Sequence, residues 1–427
     1  MSSRATTWGP AASSPGWFAL GLLLRPLQLG LAFPSVLYLA AMTVFLFRPP
    51  DLDFYHADRI ALGVLIFFVA LRSLALHERI PFVAGLSLPM LGLVVLAALR
   101  ALREPFDIQT WSLVASKFVV PFVLLHVAIL VFRGTPARRH FEIFIILALA
   151  YLVFTAVAFL ADARSLIFPQ FILDENLGIH ADRARGPFLQ AVANGMSLNI
   201  LGILAIVLAQ KRWVVLLLWL LLPLAVLATM TRAVWISFAV STVALGFRLG
   251  VPHLRRACLG LACAGVVFGL AISFTDNSVA NVLRDRTAER GPVEARMAVY
   301  DAAWGMFQER PLTGWTAGGM YSELARRMQG YHLRSFYVHN TYLSLLIEFG
   351  IPGLVLYGIL FFNLFRLGRT GTAADESPPI SALRKAWPIL LCVYLFNAFF
   401  VDMAYQFVIG LMFTVAGMLC SSEEAPS

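Results

Sequence analysis

The sequence predicts an all-α integral membrane protein. Hydrophobic residues make up 59% of the 427 residues and charged residues only 13%, against about 45–50% and about 25% in soluble globular proteins. The apolar residues also form runs long enough to cross a bilayer, because a spanning helix needs about 20 of them. We therefore expect a bundle of transmembrane helices, with polar residues confined to the connections.

About twelve such runs follow one another along the chain. Residues 1–16 are polar, residues 17–24 are too few to span, and Arg25 interrupts this first apolar stretch, so a cleavable signal peptide is not expected. The predicted spans are residues 28–47, 60–76, 81–99, 112–132, 141–161, 189–209, 213–229, 233–247, 257–274, 341–365, 387–403 and 405–420. No internal repeat is evident, and we expect residues 1–427 to form one polytopic domain.

One long polar segment, residues 275–340, is inserted between spans nine and ten. Its basic and acidic residues nearly balance, which does not fit a polybasic lipid-binding tail. The apolar residues Met297, Tyr300, Trp304 and Phe307 recur at helical spacing and predict an amphipathic helix over about residues 293–308. A second, shorter helix is expected over residues 321–328. We expect these apolar stripes to pack onto the membrane bundle.

The basic residues predict the orientation of the bundle. An even number of spans puts both termini on one side, and with that side inside, the inner loops carry the larger share of basic residues, as the positive-inside rule expects. These inner residues are Arg133, Arg138, Arg139, Lys211, Arg212, Arg248, Arg255, Arg256, Arg366, Arg369, Arg384 and Lys385. The outer loops nevertheless keep many arginines, which calls for a functional reason.

Several common function classes are not supported by the sequence. The net charge of +9 is interpreted as a topology signal, since no basic stripe is interleaved with aromatics as in nucleic-acid-binding proteins. The four cysteines lie in apolar runs without CxxC spacing, so disulfides and zinc are not expected. The GxSxG, HExxH, P-loop and GxGxxG motifs of soluble enzymes are absent.

A histidine lies where the long polar segment meets span ten. His339 and Asn340 come directly before the predicted N-terminus of that helix. Unpaired N–H groups and the helix dipole favour negative charge there, and they disfavour protonation of an imidazole, which keeps it available as a base. The alternative is an amphipathic histidine at the bilayer interface without a catalytic role.

Four outer arginines are candidates for anion binding. Arg183 and Arg185 precede a turn at a membrane boundary and could bind phosphate bidentately; the alternative is snorkelling to the interface. Arg232 separates two apolar runs almost without a loop, where a charge is costly unless it has a partner or a wet cavity. Arg296, at the start of the amphipathic helix, could equally be a solvated surface residue.

Acidic residues offer two further interpretations. Asp51 and Asp53 form a DxD triplet that could begin a divalent-metal site, although the triplet is common and the prolines before it favour a plain turn. Glu348 and Asp402 lie within predicted spans, where acids are usually functional or paired. Arg72, Lys117 or helix backbone could satisfy them.

Arginines and one histidine on a single face suggest one chemistry. The substrate would carry concentrated negative charge, such as a pyrophosphate, which the arginines would hold while stabilising charge on the leaving group. The histidine would take a proton from an attacking hydroxyl. Since pyrophosphate is already a good leaving group, no metal is strictly needed.

At these residues the chain resembles the bacterial O-antigen ligase and O-antigen polymerase superfamily. The matching stretches are His339 to Leu343 with Glu348 to Gly353, Arg296 to Trp304 with Arg310 to Trp315, Arg183 to Phe188, and Thr231 to Ala233. They are similar to the family's HNxxL and ExGxxG signature, its RxxxWxxA and PLxGxG segment, its RxxGPF turn and its S/T-R-G turn. Trp315-Thr316 and Ala233 stand where the family usually has glycine.

This resemblance implies a membrane enzyme of the C-type glycosyltransferase kind, in the bacterial inner membrane with its site facing the periplasm. It would move a glycan from undecaprenyl pyrophosphate to an acceptor, by inversion and without metal or cofactor. His339 would be the catalytic base, and Asn340 beside it would bind substrate. Arg232 and Arg296, with Arg183 or Arg185, would bind the donor's pyrophosphate.

The resemblance leaves the acceptor open. An O-antigen ligase would use lipid A–core oligosaccharide, a polymerase a second carrier-linked repeat, and a protein O-oligosaccharyltransferase a serine or threonine. Twelve spans with one large outer segment favour the ligase by analogy. A flippase for the lipid-linked glycan should show charges through a central cavity and matched halves, and a structural scaffold would not need the outer arginines.

Overall fold

The computed structural model describes residues 28, 30–47, 57–274, 291–328, 338–369 and 377–423. Within these residues the regular elements are all helices, which confirms the predicted fold class. Nine described helical segments are long and apolar enough to cross a membrane, and three shorter apolar helices accompany them. Together they correspond one to one with the twelve predicted spans.

The membrane helices enclose one apolar core. In chain order they are α1 (Pro34–Leu46), α2 (Ala57–Leu76), α3 (Ala84–Ala101), α4 (Ile108–Val114) continued through a π-helical turn (Ala115–Val119) into α5 (Val120–Val131), α6 (Thr135–Leu160), α7 (Ala191–Leu208), α8 (Arg212–Leu227), α9 (Arg232–Leu249), α10 (Val251–Phe274), α13 (Thr341–Leu367), α14 (Pro378–Ala398) and α15 (Gln406–Glu423). Helix α7 is buried along most of its length and forms the centre of the bundle.

A polar network fixes three helices around this centre. Asn397 of α14 donates from Nδ2 to Ser237 Oγ of α9 at 2.9 Å. Ser241, one turn along α9, donates to Asn199 Oδ1 of α7 at 3.0 Å. Because hydrogen bonds between buried side chains satisfy groups that the bilayer could not, they fix the alignment of α7, α9 and α14.

The span predicted over residues 387–403 differs from the structure. Helix α14 begins nine residues earlier, at Pro378, and ends at Ala398. Residues 399–405 form an irregular connection, which packs on the start of α13: Thr341 Oγ1 donates to Val401 O at 2.8 Å and accepts from Met403 N–H at 2.9 Å. The apolar character of this connection reflects burial against α13 and not a helix.

The polar segment folds as predicted in outline but with a different buried face. Its helices are α11 (Gly291–Glu309) and α12 (Ala317–Arg327). Of the predicted stripe, Met297 and Trp304 are exposed, at 54% and 49%, whereas Val299, Ala303 and Met306 are buried and pack with α12 and the start of α13. Residues 275–290 and 329–337 of this segment lie outside the described residues, as do residues 1–27 and 48–56.

Helix α13 is broken in the middle, although the sequence predicted one continuous span. Gly350 has φ +68° and ψ −165°, a conformation that a residue with a Cβ rarely adopts. The turn after α11 fits into the break: Trp315 N–H donates to Ile347 O at 2.7 Å and Ile351 N–H donates to Pro311 O at 2.8 Å. The two glycine-containing motifs of the sequence therefore contact each other across the break.

Helix order places several connections at one end of the bundle, which we call the His339 face. These are residues 161–190, 228–231 and 399–405, with α11 and α12 beside them. Direct contacts join them: Ala184 N–H donates to Ala228 O at 3.0 Å and Tyr300 Oη donates to Phe399 O at 3.4 Å. The other end of the bundle is called the opposite face.

Candidate active site

The backbone of His339 is held in place at the start of α13. Tyr300 Oη of α11 donates to His339 O at 3.0 Å. The next residue, Asn340, caps the helix, because its Oδ1 accepts from Leu343 N–H at 3.0 Å. Asn340 was predicted to bind substrate; the structure gives its side chain a capping role beside Tyr300.

The half-buried imidazole of His339 is held neutral. Burial lowers its pKa below the usual value, and the positive charge of Arg296 lowers it further, while the carboxylate of Asp402 acts in the opposite direction. A neutral imidazole can accept a proton, as a general base must. The sequence predicted this neutral state from the helix dipole, and the structure adds burial and the charge of Arg296 as further causes.

Arg296 and Arg232 are exposed on the His339 face. Arg296 lies on α11, close enough to His339 to act on its pKa. Arg232 is the first residue of α9 and follows a tight turn in which Met230 has φ +47°. Both arginines therefore lie at the end of the bundle where a negatively charged substrate could approach His339.

Arg185 has a different role from the predicted one. Its side chain is 1% exposed, and its guanidinium donates to three carbonyl oxygens of one loop: Ile172 O at 2.7 Å, Leu177 O and Asp174 O. Burial lowers its pKa, and nearby acids oppose this. With every nitrogen engaged, Arg185 shapes the loop 170–177 and presents no fork to a pyrophosphate.

Arg183 is buried as well. Its Nε lies 3.6 Å from Asp182 Oδ2, and Ala184, its neighbour in the chain, donates to the backbone of the turn before Arg232. The sequence left open whether Arg183 or Arg185 binds the pyrophosphate, and the structure buries both side chains. Arg185 supports the loop 170–177, whereas the Arg183 side chain lies against Asp182.

An ion cluster that the sequence analysis had only partly foreseen lies beneath His339. Lys117 Nζ is 3.4 Å from Glu348 Oε2 and 3.3 Å from Asp402 Oδ2. The three side chains are 13%, 15% and 24% exposed, so they form a largely buried group with a net charge of −1. Among the described residues, Asp402 Oδ1 has no hydrogen-bond partner.

Each residue of this cluster lies at or beside an irregular stretch of backbone. Lys117 lies in the π-helical turn, an irregularity that is frequent at functional sites. Glu348 lies just before the break in α13, and Asp402 lies between the two residues that bond to Thr341. The signal for this cluster in the sequence was two acids and one of three lysines, all within apolar runs.

An apolar groove of about 320 Å³ runs between α9 and α14. On α9 it is lined by Ile236, Val240 and Ala244, which share one helical stripe with Arg232 because they follow it at intervals of four residues. Ser237, at its wall, belongs to the polar network described above. The groove thus leads from the position of Arg232 down into the bundle.

In the described part of the chain, no group of three or more His, Cys, Asp or Glu residues could hold a metal ion. Asp51 and Asp53, the residues of the predicted alternative metal site, lie outside the described residues.

No curated protein matches this chain. Residues 216–358, however, match the family model described as O-antigen ligase. The matched range contains Arg232, Arg296, His339 and Glu348, and the helices of this multi-pass protein fit a bacterial membrane enzyme of that type. The match confirms the resemblance found in the motifs, over a stretch of the chain that is similar to the O-antigen ligase family.

Proposed function

We propose that this protein is an O-antigen ligase, which transfers O-antigen polysaccharide from undecaprenyl pyrophosphate to lipid A–core oligosaccharide at the periplasmic face of the inner membrane. The observation that carries the proposal is the position of His339. Its half-buried, neutral imidazole lies under the influence of a cation, Arg296, and a buried acid, Asp402. This is the environment of a base that becomes charged during the reaction.

In the proposed reaction, a hydroxyl of the acceptor sugar attacks the anomeric carbon of the donor glycan. His339 accepts the hydroxyl proton as the new C–O bond forms, and the bond from the anomeric carbon to the pyrophosphate oxygen breaks with its electron pair. The imidazolium that results is stabilised by Asp402, because an opposite charge nearby favours the protonated form. Undecaprenyl pyrophosphate leaves as the anion.

Arg232 and Arg296 are proposed to hold the pyrophosphate. Guanidinium groups bind phosphate oxygens in a bidentate manner, and Arg232 begins a helix whose N-terminal N–H groups also favour an anion. These cations offset the charge that develops on the leaving group, so the reaction needs no metal ion.

The groove between α9 and α14 suits the isoprenoid chain of the carrier. Its lining is almost wholly apolar, and it starts one helical turn below Arg232. If the pyrophosphate of the donor binds at Arg232, the attached isoprenoid chain can enter the groove. This arrangement favours a lipid-linked donor over a soluble sugar nucleotide.

Direct displacement with inversion is the expected stereochemistry. A double displacement needs a carboxylate that can attack the anomeric carbon. Glu348 and Asp402 are both largely buried and ion-paired with Lys117, so neither is well placed as a nucleophile.

Transfer in vitro tests this proposal. Purified protein, with His339→Ala as control, is mixed with undecaprenyl-pyrophosphate-linked O-antigen and lipid A–core. Joining of the two by the wild type alone supports the ligase and His339. Donor consumption that requires only a second donor repeat would make the protein a polymerase, and no transfer to either acceptor would bring forward a protein acceptor or a flippase.

A chelator tests the metal-independent mechanism. Full transfer in excess chelator is expected. Loss of transfer that a divalent ion restores would contradict it and return attention to Asp51 and Asp53.

A further inference from the structure

A cavity at the opposite face has both basic and apolar walls, and we propose that it binds the phosphate headgroup of an anionic glycerophospholipid of the surrounding membrane. The cavity has a volume of about 770 Å³. It lies where α6, α8 and α14 begin and α7 ends. Helix α7 runs from the His339 face to this cavity. Its 18 residues, at about 1.5 Å per residue, make it about 27 Å long.

The polar wall of the cavity is positively charged. Its charged lining residues in the described part of the chain are Arg138, Arg139 and Lys211, with Glu142 as the one acid. Arg138 is fixed in position, since its Nη1 donates to Ser377 Oγ at 2.9 Å. Arg139 and Lys211 are exposed, and with Arg138 they outnumber the acid by three to one.

The other wall is apolar and continues into the lipid-facing surface. Ile145, Ile146 and Val214 line the cavity beside Trp213, and Ile146 and Trp213 are among the exposed large hydrophobic residues of the bundle. Tryptophan is enriched at membrane–water interfaces. A ligand that fits both walls has a negatively charged head and apolar chains.

This combination favours a lipid over free phosphate. Basic pockets between transmembrane helices on the inner side of a membrane bind anionic lipid headgroups. A free phosphate would use the cations alone and leave the apolar wall in contact with water, whereas a phospholipid covers both. The cavity contains none of the residues proposed for transfer, so the inference does not rest on the proposed function.

The experiment measures lipid binding by the full-length protein. Purified protein in detergent is titrated with phosphatidylglycerol or phosphatidylcholine, and bound lipid is counted by native mass spectrometry. We expect preferential retention of phosphatidylglycerol. The double variant Arg139→Gln with Lys211→Gln should lower the affinity for this lipid roughly 30-fold, at about 1 kcal/mol per basic residue. Thermal unfolding with the same lipids checks that the variant is folded.

Two variants serve as controls. Arg255→Gln removes an exposed cation of the opposite face that does not line the cavity, and should leave retention unchanged. Glu142→Gln removes the acid and should strengthen it. Equal retention by wild type and the double variant, or no preference for phosphatidylglycerol, would overturn the proposal. Competition by millimolar inorganic phosphate alone, without lipid preference, would assign the cavity to free phosphate instead.

Discussion

Replacing Lys117 by methionine removes the cation of the buried cluster while keeping an unbranched side chain. Each ion pair, at 3.3–3.4 Å, contributes a Coulomb attraction of about 5 kcal/mol at an effective dielectric constant of about 20. The two carboxylate oxygens that face Lys117 can be at most about 6.7 Å apart, so their mutual repulsion is about 2.5 kcal/mol or more on the same scale. Desolvation of the three groups offsets much of the attraction.

The consequence is an order of stabilities that does not depend on the absolute dielectric constant. Lys117→Met leaves two like charges buried together and should lower the free energy of unfolding by about 3–5 kcal/mol. Asp402→Asn and Glu348→Gln each leave a neutral pair, and should cost less than half as much. Lys117→Met combined with both neutral replacements should recover most of the loss.

Thermal unfolding of the purified variants in detergent, followed by tryptophan fluorescence, measures this order. A matched control is Lys385→Met, because Lys385 is an exposed lysine of the opposite face. The reasoning is refuted if Lys117→Met is no less stable than Asp402→Asn, or if the triple replacement is no better than Lys117→Met alone.

Four further predictions concern single features of the site and fold. In the proposed mechanism neutral His339 is the active form, so the transfer rate should fall as pH drops through its pKa. Asp402→Asn should move this acidic limb of the pH–rate profile to lower pH and Arg296→Gln should move it to higher pH; shifts in the same direction for both variants would contradict the assignment. Gly350→Ala places a Cβ 2.5 Å from Pro311 O at φ +68° and should cost roughly 2 kcal/mol or more, whereas Gly358→Ala on the same helix, with no atom within 4 Å of its Cβ, should be harmless in the same unfolding assay. Arg185→Gln should lower the unfolding temperature, whereas Arg232→Gln should raise the KM for the donor and leave the unfolding temperature unchanged. The opposite result would make Arg185 the donor-binding residue and Arg232 the structural one. Ala244→Trp should obstruct the groove and raise the KM for the lipid-linked donor, while Ala262→Trp, at an exposed position of α10, should not; equal kinetics of the two would remove the groove from donor binding.

Much of the fold could be predicted because the bilayer imposes a simple rule on helix length and composition. Hydropathy predicts the positions of the nine long and three shorter apolar helices found in the described residues. It does not predict the break in α13, since apolar residues continue on both sides of Gly350 and the conformation of Gly350 depends on the backbone of Pro311, far away in the chain. Hydropathy also fails for residues 399–405. They were predicted to continue a helix because they are apolar, but they are apolar because they pack on α13.

The site was predictable as a set of charges, but not as a set of contacts. His339, Arg232 and Arg296 all come to one end of the bundle, as their places between spans required. Whether a guanidinium meets carbonyls or solvent is decided by the loop around it, and this separates Arg185 from Arg232. The sequence left the partner of Glu348 and Asp402 open among Arg72, Lys117 and helix backbone. In the structure the partner is Lys117, and Arg72 lies 3.8 Å from Glu78.

The buried face of α11 shows a related limit. A stripe at helical spacing identified the helix, yet several stripes satisfy that spacing when small and large apolar residues alternate. Packing against α12 selected the small residues Val299 and Ala303, because they allow close approach, and left Met297 and Trp304 outside.

The break in α13 also decides where this protein can be divided. The turn after α11 is bonded to both halves of α13, because Trp315 N–H donates to Ile347 O before the break and Ile351 N–H donates to Pro311 O after it. A chimera that exchanges the soluble segment between relatives should therefore have its junction beyond Ile351 and not at His339. A junction at the apparent membrane boundary would separate His339, the proposed catalytic base, from the structure that holds it.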